Sequence, residues 1–292
     1  MERKTILVEQ PAEHVARIVL NRPETRNAQD TRLLYELNDA LDEAAHDREV
    51  RVIIVAANGK DFSSGHDLRE REHLENQDQF RPVGTQSNYR APGAEGRMAR
   101  EEEIYLGFCE RWRNIPKPTI AAVQGRCISG GLMLVWPMDL IVAADDAQFS
   151  DVVVAMGIIG VEYFAHPWEV GVRKAKEMLF TGRPISAEEA RMLGMVNQVV
   201  PRAELAARTL DLAKEIATKP TFAVKSVKQA VNAAQDAQGR HVAFQTAFAI
   251  HHLNHSHAME VFGLPVDPTG IHGSVRKTYK EGEEPFRRPE PR

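Results

Sequence analysis

The sequence predicts an α/β fold with a mainly parallel sheet, followed by a helical region. Two apolar, β-branched segments, VRVIIVAA and KPTIAAVQG, are typical of buried strands. Segments with helical spacing of leucines lie between the strand-like segments, and this alternation favours crossover connections between parallel strands. The chain becomes mostly helical after Gly171. We therefore predict a core over 1–200, a helical region over 201–280 and a disordered, charged and proline-rich tail over 281–292.

The first elements follow from short patterns. TILVEQ and HVARIVLN are β-rich and predict a hairpin with its turn at Pro11. TRLLYELNDALDEAAHD predicts a helix, with Asp30 as its N-cap. The leucines at helical intervals are Leu33, Leu34, Leu37 and Leu41. MDLIVAADDAQFS predicts a further strand and a turn.

The later elements are less uniform. Residues 67–110 are polar, contain Gly and Pro and show little periodicity. This segment is either a mobile flap with a helix resuming near Arg97, or a disordered surface insertion. AEEARMLGMVNQVV predicts a short helix, a break at Gly194 and a strand. RAELAARTLDLAKEIATK, TFAVKSVKQAVNAAQDA and VAFQTAFAIHHLN predict three helices.

Composition excludes several classes of protein. Charged residues make up 27% and apolar residues 43%, as in ordinary globular proteins. A net charge of −4 gives no electrostatic reason to expect nucleic acid as a partner. Cys109 and Cys127 imply no disulfide framework. No apolar run approaches the roughly 18 residues of a membrane span, and no leader pattern opens the chain. We expect a cytoplasmic protein without a membrane partner.

Four motifs occur in a characteristic order. They are LNRPETRNA at 20–28, GKDFSSGHDL at 59–68, VQGRCISGGLML with MDLIVAADDAQFS, and LFTGRPISAEEARMLGMVNQVVP at 179–201. Together they resemble the crotonase superfamily, also called the enoyl-CoA hydratase/isomerase family, over residues 5–280. The resemblance implies a crotonase-like spiral of ββα turns and acyl-CoA substrates. It also implies trimer contacts through the C-terminal helices, so we expect a homotrimer or a dimer of trimers.

The resemblance also assigns an oxyanion hole. Reactions beside a thioester carbonyl pass through an enolate, and fixed backbone N–H groups stabilise the charge on its oxygen. FSSGHD offers a tight loop, and SGG offers a helix N-terminus. By resemblance, Ser64 and Gly130 supply the two N–H donors. The residue-level alternative is that these glycine-containing segments only make tight turns.

Coenzyme A is expected only as part of the substrate, with no separate cofactor. By resemblance, the backbone around His66, Asp67 and Leu68 meets its adenine. Arg26 either lies near the phosphates or is a solvated surface arginine. A set of basic residues either meets the phosphates bound to a neighbouring subunit or, as we favour, forms the solvent face of a final helix. That set is Arg276, Lys277 and Lys280.

The usual proton-transfer residues are missing. Family hydratases carry one glutamate three residues after the oxyanion glycine and a second after the ARF-like turn, and here these positions hold Met133 and Val153. Neither side chain transfers a proton, so the ordinary two-glutamate hydration is excluded. Glu162 and Asp151 are the candidate acid–base residues in the segment where related branches place theirs. The alternative for Glu162 is an acid that favours a helix N-terminus.

Three functions stay open. The first is a hydratase or isomerase that uses Glu162 or Asp151, with His66 and His166 next in line. The second is another crotonase-fold chemistry, such as C–C hydrolysis or dehalogenation, and the third is acyl-CoA binding without catalysis. HHLNHSH holds a histidine pair at i, i+4, a spacing that can bind a metal. No acid or cysteine completes the set nearby, so we predict no metal site there. These histidines are His251, His252, His255 and His257.

Overall fold

The main sheet follows the predicted parallel arrangement. The computed structural model describes residues 3–70 and 72–271. Strand order is β1-β2-β3-β4-β6-β9, and every pair is parallel except β1 with β2. The strands are β1 Ile6–Ala12, β2 Val15–Leu20, β3 Val52–Ala57, β4 Thr119–Val123, β6 Leu140–Ala144 and β9 Gln198–Val200. A second sheet, in the order β5-β7-β8, contains β5 Arg126–Ile128, β7 Gln148–Ser150 and β8 Ile185–Ser186.

The N-terminal hairpin and the first helix are confirmed. β1 pairs with β2 in antiparallel fashion, but the turn lies at Glu13 and His14 rather than at Pro11. Pro11 stays within β1, where the register shifts between Glu9 and Ala12, because a proline is tolerated at such an irregularity. Helix α1 spans Thr31–His46, and the Asp30 carboxylate accepts its Leu33 N–H at 2.8 Å.

The polar segment after Asp67 contains several short helices. They are α2 His73–Gln77, α3 Ala94–Glu101 and α4 Phe108–Arg113. The helix predicted near Arg97 therefore begins at Ala94. A π-helical turn over Glu102–Gly107 joins α3 to α4. Mobility of this segment stays a prediction.

Helices dominate the second half of the chain. They are α5 Gly130–Met133, α6 His166–Val170, α7 Val172–Thr181, α8 Ala187–Met192, α9 Leu205–Ala217, α10 Thr221–Asp236 and α11 Arg240–Phe262. Leu205, Ala213 and Ala217 of α9 are buried against strand residues of the main sheet. α11 buries Phe244 and Phe248 in the larger apolar core on the other side. The predicted division at 200/201 stays a prediction.

Two predictions fall outside the described residues. The basic set at Arg276, Lys277 and Lys280 and the tail over 281–292 both lie there. Among the described residues, no helix combines the length and the apolar character needed to cross a membrane.

Candidate active site

Two loops meet at the glycine motifs. Gly65 has a φ of +89°, and a Cβ there would lie 2.9 Å from the Ile128 carbonyl oxygen and 3.2 Å from the Gly130 nitrogen. Only glycine combines this backbone conformation with so close an approach. The loop is held by a bridge between Ser63 and Cys127 at the edge of the second sheet. The N-terminus of α5 is therefore fixed beside the residues that follow Gly65.

The backbone N–H groups of His66 and Gly130 lie close together. Gly130 is the first residue of α5, so its N–H has no acceptor within the helix. A Cβ on Gly130 would lie 3.2 Å from the His66 nitrogen. Across residues 3–70 and 72–271, neither the His66 N–H nor the Gly130 N–H has a hydrogen-bond acceptor. Closely spaced N–H groups without acceptors are of the kind that stabilises a carbonyl oxygen as it becomes negative.

The donor predicted at Ser64 is corrected to His66. The Ser64 N–H donates to the Arg26 carbonyl oxygen at 3.0 Å, so it is already used within the loop. His66 follows Gly65, whose left-handed conformation turns the next amide towards Gly130. The sequence does not distinguish Ser64 from His66 as the donor, because a backbone N–H is supplied by either residue whatever its side chain.

A cavity of about 540 Å³ opens beside the His66 loop, and Gly130 is not among the described residues that line it. His66, Asp67 and Leu68 line it, and contact between their backbone and the adenine stays a prediction. Val153, at the second family glutamate position, also lines the cavity, whereas Met133 is 1% exposed in the core. The cavity wall is therefore apolar at the second of these two positions, and the first lies behind it in the core.

Glu162 is a carboxylate in contact with the side chain of His66. It lines the cavity and is 4% exposed. Its Oε2 lies 3.1 Å from His66 Nε2, and its Oε1 lies 3.6 Å from His251 Nε2. Burial raises the pKa of this carboxyl, but His66 and His251 more than offset that effect, and the net pKa is lowered. Glu162 is therefore an ionised base beside the His66 imidazole.

A second carboxyl reaches the same cavity. Glu101, the last residue of α3, places its Oε2 3.7 Å from His251 Nε2, 3.3 Å from His252 Nε2 and 3.8 Å from His255 Nε2. Burial and the charge of Glu162 raise the pKa of Glu101 to about 8. Burial and the neighbouring histidines lower the pKa of His252 to about 3 and of His255 to about 4.

Asp151 has a different place from the one predicted. It is 0% exposed and is not among the described residues that line the cavity. Its carboxylate accepts from His166 Nε2–H at 3.0 Å, from the Val161 N–H at 3.0 Å and from the Val153 N–H at 3.2 Å. Burial raises its pKa, but His166 and these amides outweigh burial and lower it. Asp151 thus holds the cavity wall from behind.

The basic residues of the cavity also differ from expectation. Arg26 does not line the described cavity, and its side chain is 59% exposed beside Asp61. Arg97 and Arg100 of α3 do line it. Together with Glu101 they follow i, i+3 and i+4 spacing, so a single face of a short helix carries all three. That spacing was the available sequence signal for this side of the cavity.

Comparisons with known proteins found similar sequences and similar structures. A family model described as Enoyl-CoA hydratase/isomerase matches residues 10–264. A protein of Mycobacterium tuberculosis named "Putative enoyl-CoA hydratase EchA13" is 46% identical over 259 residues, covering 85% of this chain and 80% of that protein. The solved structure of "a probable enoyl-CoA hydratase" from Mycobacterium smegmatis has a TM-score of 0.79 at 52% identity, covering 89% of this chain and 98% of that one. An "enoyl-CoA hydratase/isomerase" structure from Xanthobacter autotrophicus Py2 has a TM-score of 0.78 at 31% identity, covering 95% and 96%.

Proposed function

Because the chain belongs to the enoyl-CoA hydratase/isomerase family, we propose that it moves a proton along the acyl chain of an unsaturated acyl-CoA thioester. The observation that carries this proposal is the position of Glu162. It is one ionised carboxylate, lining the cavity beside two unpaired backbone donors. The substrate enters with its thioester carbonyl towards those donors and its acyl chain along the apolar wall.

The N–H groups of His66 and Gly130 bind the thioester oxygen in this proposal. Removal of a proton beside the carbonyl places negative charge on that oxygen. Both donors are fixed by backbone, so they need no reorganisation as the charge develops. Each contributes on the order of 3 kcal/mol to stabilising the enolate. His66 thus takes the role that the resemblance assigned to Ser64.

Glu162 acts as the single acid–base group. It takes a proton from one carbon of the substrate and returns it to another, so no water has to be activated. His66 Nε2–H, at 3.1 Å from Glu162 Oε2, orients the carboxylate and keeps it ionised in the resting state. A mechanism that uses one carboxylate as both base and acid fits isomerisation of a double bond better than hydration, which needs both a base for water and an acid for carbon.

Hydration is a second candidate, supported by Glu101. A carboxyl with a pKa of about 8 is protonated near neutral pH, while the pKa of Glu162 is lowered. Two carboxyls whose pKa values are driven apart are suited to act as acid and base. The cavity therefore holds a glutamate pair, Glu101 and Glu162, that comes from other segments than the usual family pair.

Mass spectrometry of products formed in D₂O separates the candidates. The enzyme is incubated with β,γ-unsaturated and with α,β-unsaturated acyl-CoA thioesters of several chain lengths. Isomerisation moves the double bond without adding water, and deuterium enters the product only to the extent that protonated Glu162 exchanges with solvent before it returns the proton. Hydration adds the mass of heavy water instead, and would favour the second candidate. Cleavage of a carbon–carbon or carbon–halogen bond in other thioesters, or binding without any turnover, would overturn the proposal in favour of the remaining family chemistries or a binding role.

A further inference from the structure

A cluster of histidines on α11 meets Glu101 within the cavity wall. The donor atoms of Glu101, His251 and His255 all lie within 4.8 Å of one another. These residues are 8%, 4% and 8% exposed, so the cluster is screened from solvent on most sides. We propose that Glu101, His251 and His255 bind a divalent first-row transition-metal ion, with Zn²⁺ the ion that fits best. This inference does not rest on isomerisation through Glu162, although His251 Nε2 also faces Glu162 Oε1 at 3.6 Å and Glu101 is the acid of the second candidate reaction.

The spacing of the donors is close to that of a metal site. Ligand atoms at about 2.0–2.2 Å from a tetrahedral zinc ion lie about 3.4 Å apart. Glu101 Oε2 lies 3.7 Å from His251 Nε2 and 3.8 Å from His255 Nε2. Side-chain shifts of a few tenths of an ångström would therefore complete the coordination distances to the carboxylate.

Backbone carbonyls set the tautomer of both imidazoles. His251 Nδ1–H donates to the Gly160 carbonyl oxygen at 2.8 Å, and His255 Nδ1–H donates to the Pro265 carbonyl oxygen. A carbonyl only accepts, so Nδ1 carries the proton of each neutral ring and leaves Nε2 for a metal ion; His251 Nε2 also faces Glu162 Oε1 at 3.6 Å. Metal-binding histidines usually have this arrangement, because the outer hydrogen bond orients the ring and strengthens the donor.

Two of the facing atoms are unsatisfied hydrogen-bonding groups among the described residues. Glu101 Oε2 and His251 Nε2 are buried and lack hydrogen-bond partners in that part of the chain. Unpaired buried polar atoms are rare because each costs about 1–3 kcal/mol. A cation shared by the carboxylate and the two lone pairs would satisfy all three. The π-helical turn that begins at Glu102 is a feature often found at functional sites.

The donor set indicates the kind of ion. Mg²⁺ and Ca²⁺ prefer oxygen ligands, whereas two imidazoles and one carboxylate suit Zn²⁺ and its neighbours. Three protein ligands leave a position for water or a small ligand, which would face the cavity. His252 Nε2, 3.3 Å from Glu101 Oε2, stands where it can orient the carboxylate. The sequence shows only the i, i+4 histidine pair, because its acid comes from a distant helix.

Calorimetry with ZnCl₂ tests the site. The full chain is prepared without a polyhistidine tag, treated with a chelator and titrated. We expect one Zn²⁺ per chain, weakened by more than about 100-fold in Glu101→Gln and in His255→Ala, since even outer partners of metal ligands are worth about 10–100-fold. His257, exposed on the same helix, provides the control His257→Ala, which should bind as the wild type does.

A Co²⁺ spectrum completes the test. Bound Co²⁺ should give visible absorption that is lost in Glu101→Gln. This substitution conserves the shape of the side chain, so it still tests the site if His255→Ala does not fold. Absence of stoichiometric Zn²⁺ binding to the wild type would overturn the proposal. Unchanged binding in Glu101→Gln, or an equal loss in His257→Ala, would overturn it as well.

Discussion

Glu162 is a buried carboxylate whose charge depends on the groups that face it. His66 and His251 keep its pKa low in spite of burial. Glu162→Gln conserves shape but removes the base. We expect turnover to fall by about 10²-fold or more, the range for a general acid–base group. Affinity for a non-reactive acyl-CoA should stay nearly the same, because the change affects proton transfer rather than uniform binding. Steady-state kinetics and calorimetry measure the two quantities.

Glu169 offers a matched control for that substitution. It lies on α6, a few residues further along the chain, and is not among the described residues that line the cavity. Glu169→Gln should retain turnover close to that of the wild type. Full activity in Glu162→Gln would instead move the acid–base role to another cavity group, with His66 first among them.

The side chain of His66 leaves no space for a Cβ atom on Gly130. A Cβ at this position would lie 2.7 Å from His66 Cε1 and 2.8 Å from its Nδ1, closer than real Cβ contacts. Gly130→Ala therefore displaces the imidazole and with it the contact to Glu162. Since a misplacement of about 1 Å can cost about 10²-fold, we expect a loss of that order in kcat/KM with the fold retained. A folded and fully active Gly130→Ala enzyme would contradict this geometry.

At the scale of elements, local patterns predict what local forces decide. The Asp30 cap, the buried strands β3 and β4 and the Gly194 break each depend on a few adjacent residues, and each is confirmed. Contacts between distant segments do not appear in such patterns. Glu101 meets His251 only because α3 packs on α11, so the sequence left the histidines without an acid.

Asp151 shows how one side chain fixes a whole segment. It joins the end of β7 to the start of α6 through His166 and two backbone amides. Breaking a buried pair leaves its partner uncompensated, so Asp151→Asn should reduce the free energy of unfolding by about 3 kcal/mol at neutral pH. Urea unfolding measures this difference. Equal stability of the two proteins at neutral pH would refute the assigned role.

The same substitution has a predictable pH dependence. The folded-state pKa of Asp151 lies below its ordinary value of 3.8. A depressed carboxyl pKa stabilises the fold above the unfolded-state value, and this contribution disappears as pH falls through the folded-state value. The stability gap between the wild type and Asp151→Asn should therefore be constant near neutral pH and narrow below about pH 4. A gap that widens with acid would contradict this sign.

The whole molecule presents an apolar surface along its last helices. Within the described chain, none of the residues of α10 is buried, and Phe222, Val227 and Val231 are 78%, 62% and 63% exposed. On α11, Val242 and Leu253 are 69% and 65% exposed, although the opposite side of this helix is in the core. Exposed apolar residues grouped on two helices in contact are typical of a protein–protein interface.

We therefore predict self-association through α10 and α11, as a trimer or a dimer of trimers. Light scattering should give a mass about three or six times the 32.7 kDa of the chain. Val231→Glu places a charge within the apolar surface, where burial without a partner is costly, and should shift the mass towards that of one chain. Gln10→Glu adds the same charge on the exposed side of β1 and should leave the mass unchanged. A wild-type protein with the mass of a single chain at every concentration would reject the assembly. A Val231→Glu protein that keeps the full wild-type mass would place the contact elsewhere, because a carboxylate would then be tolerated where the apolar side chain is proposed to be covered.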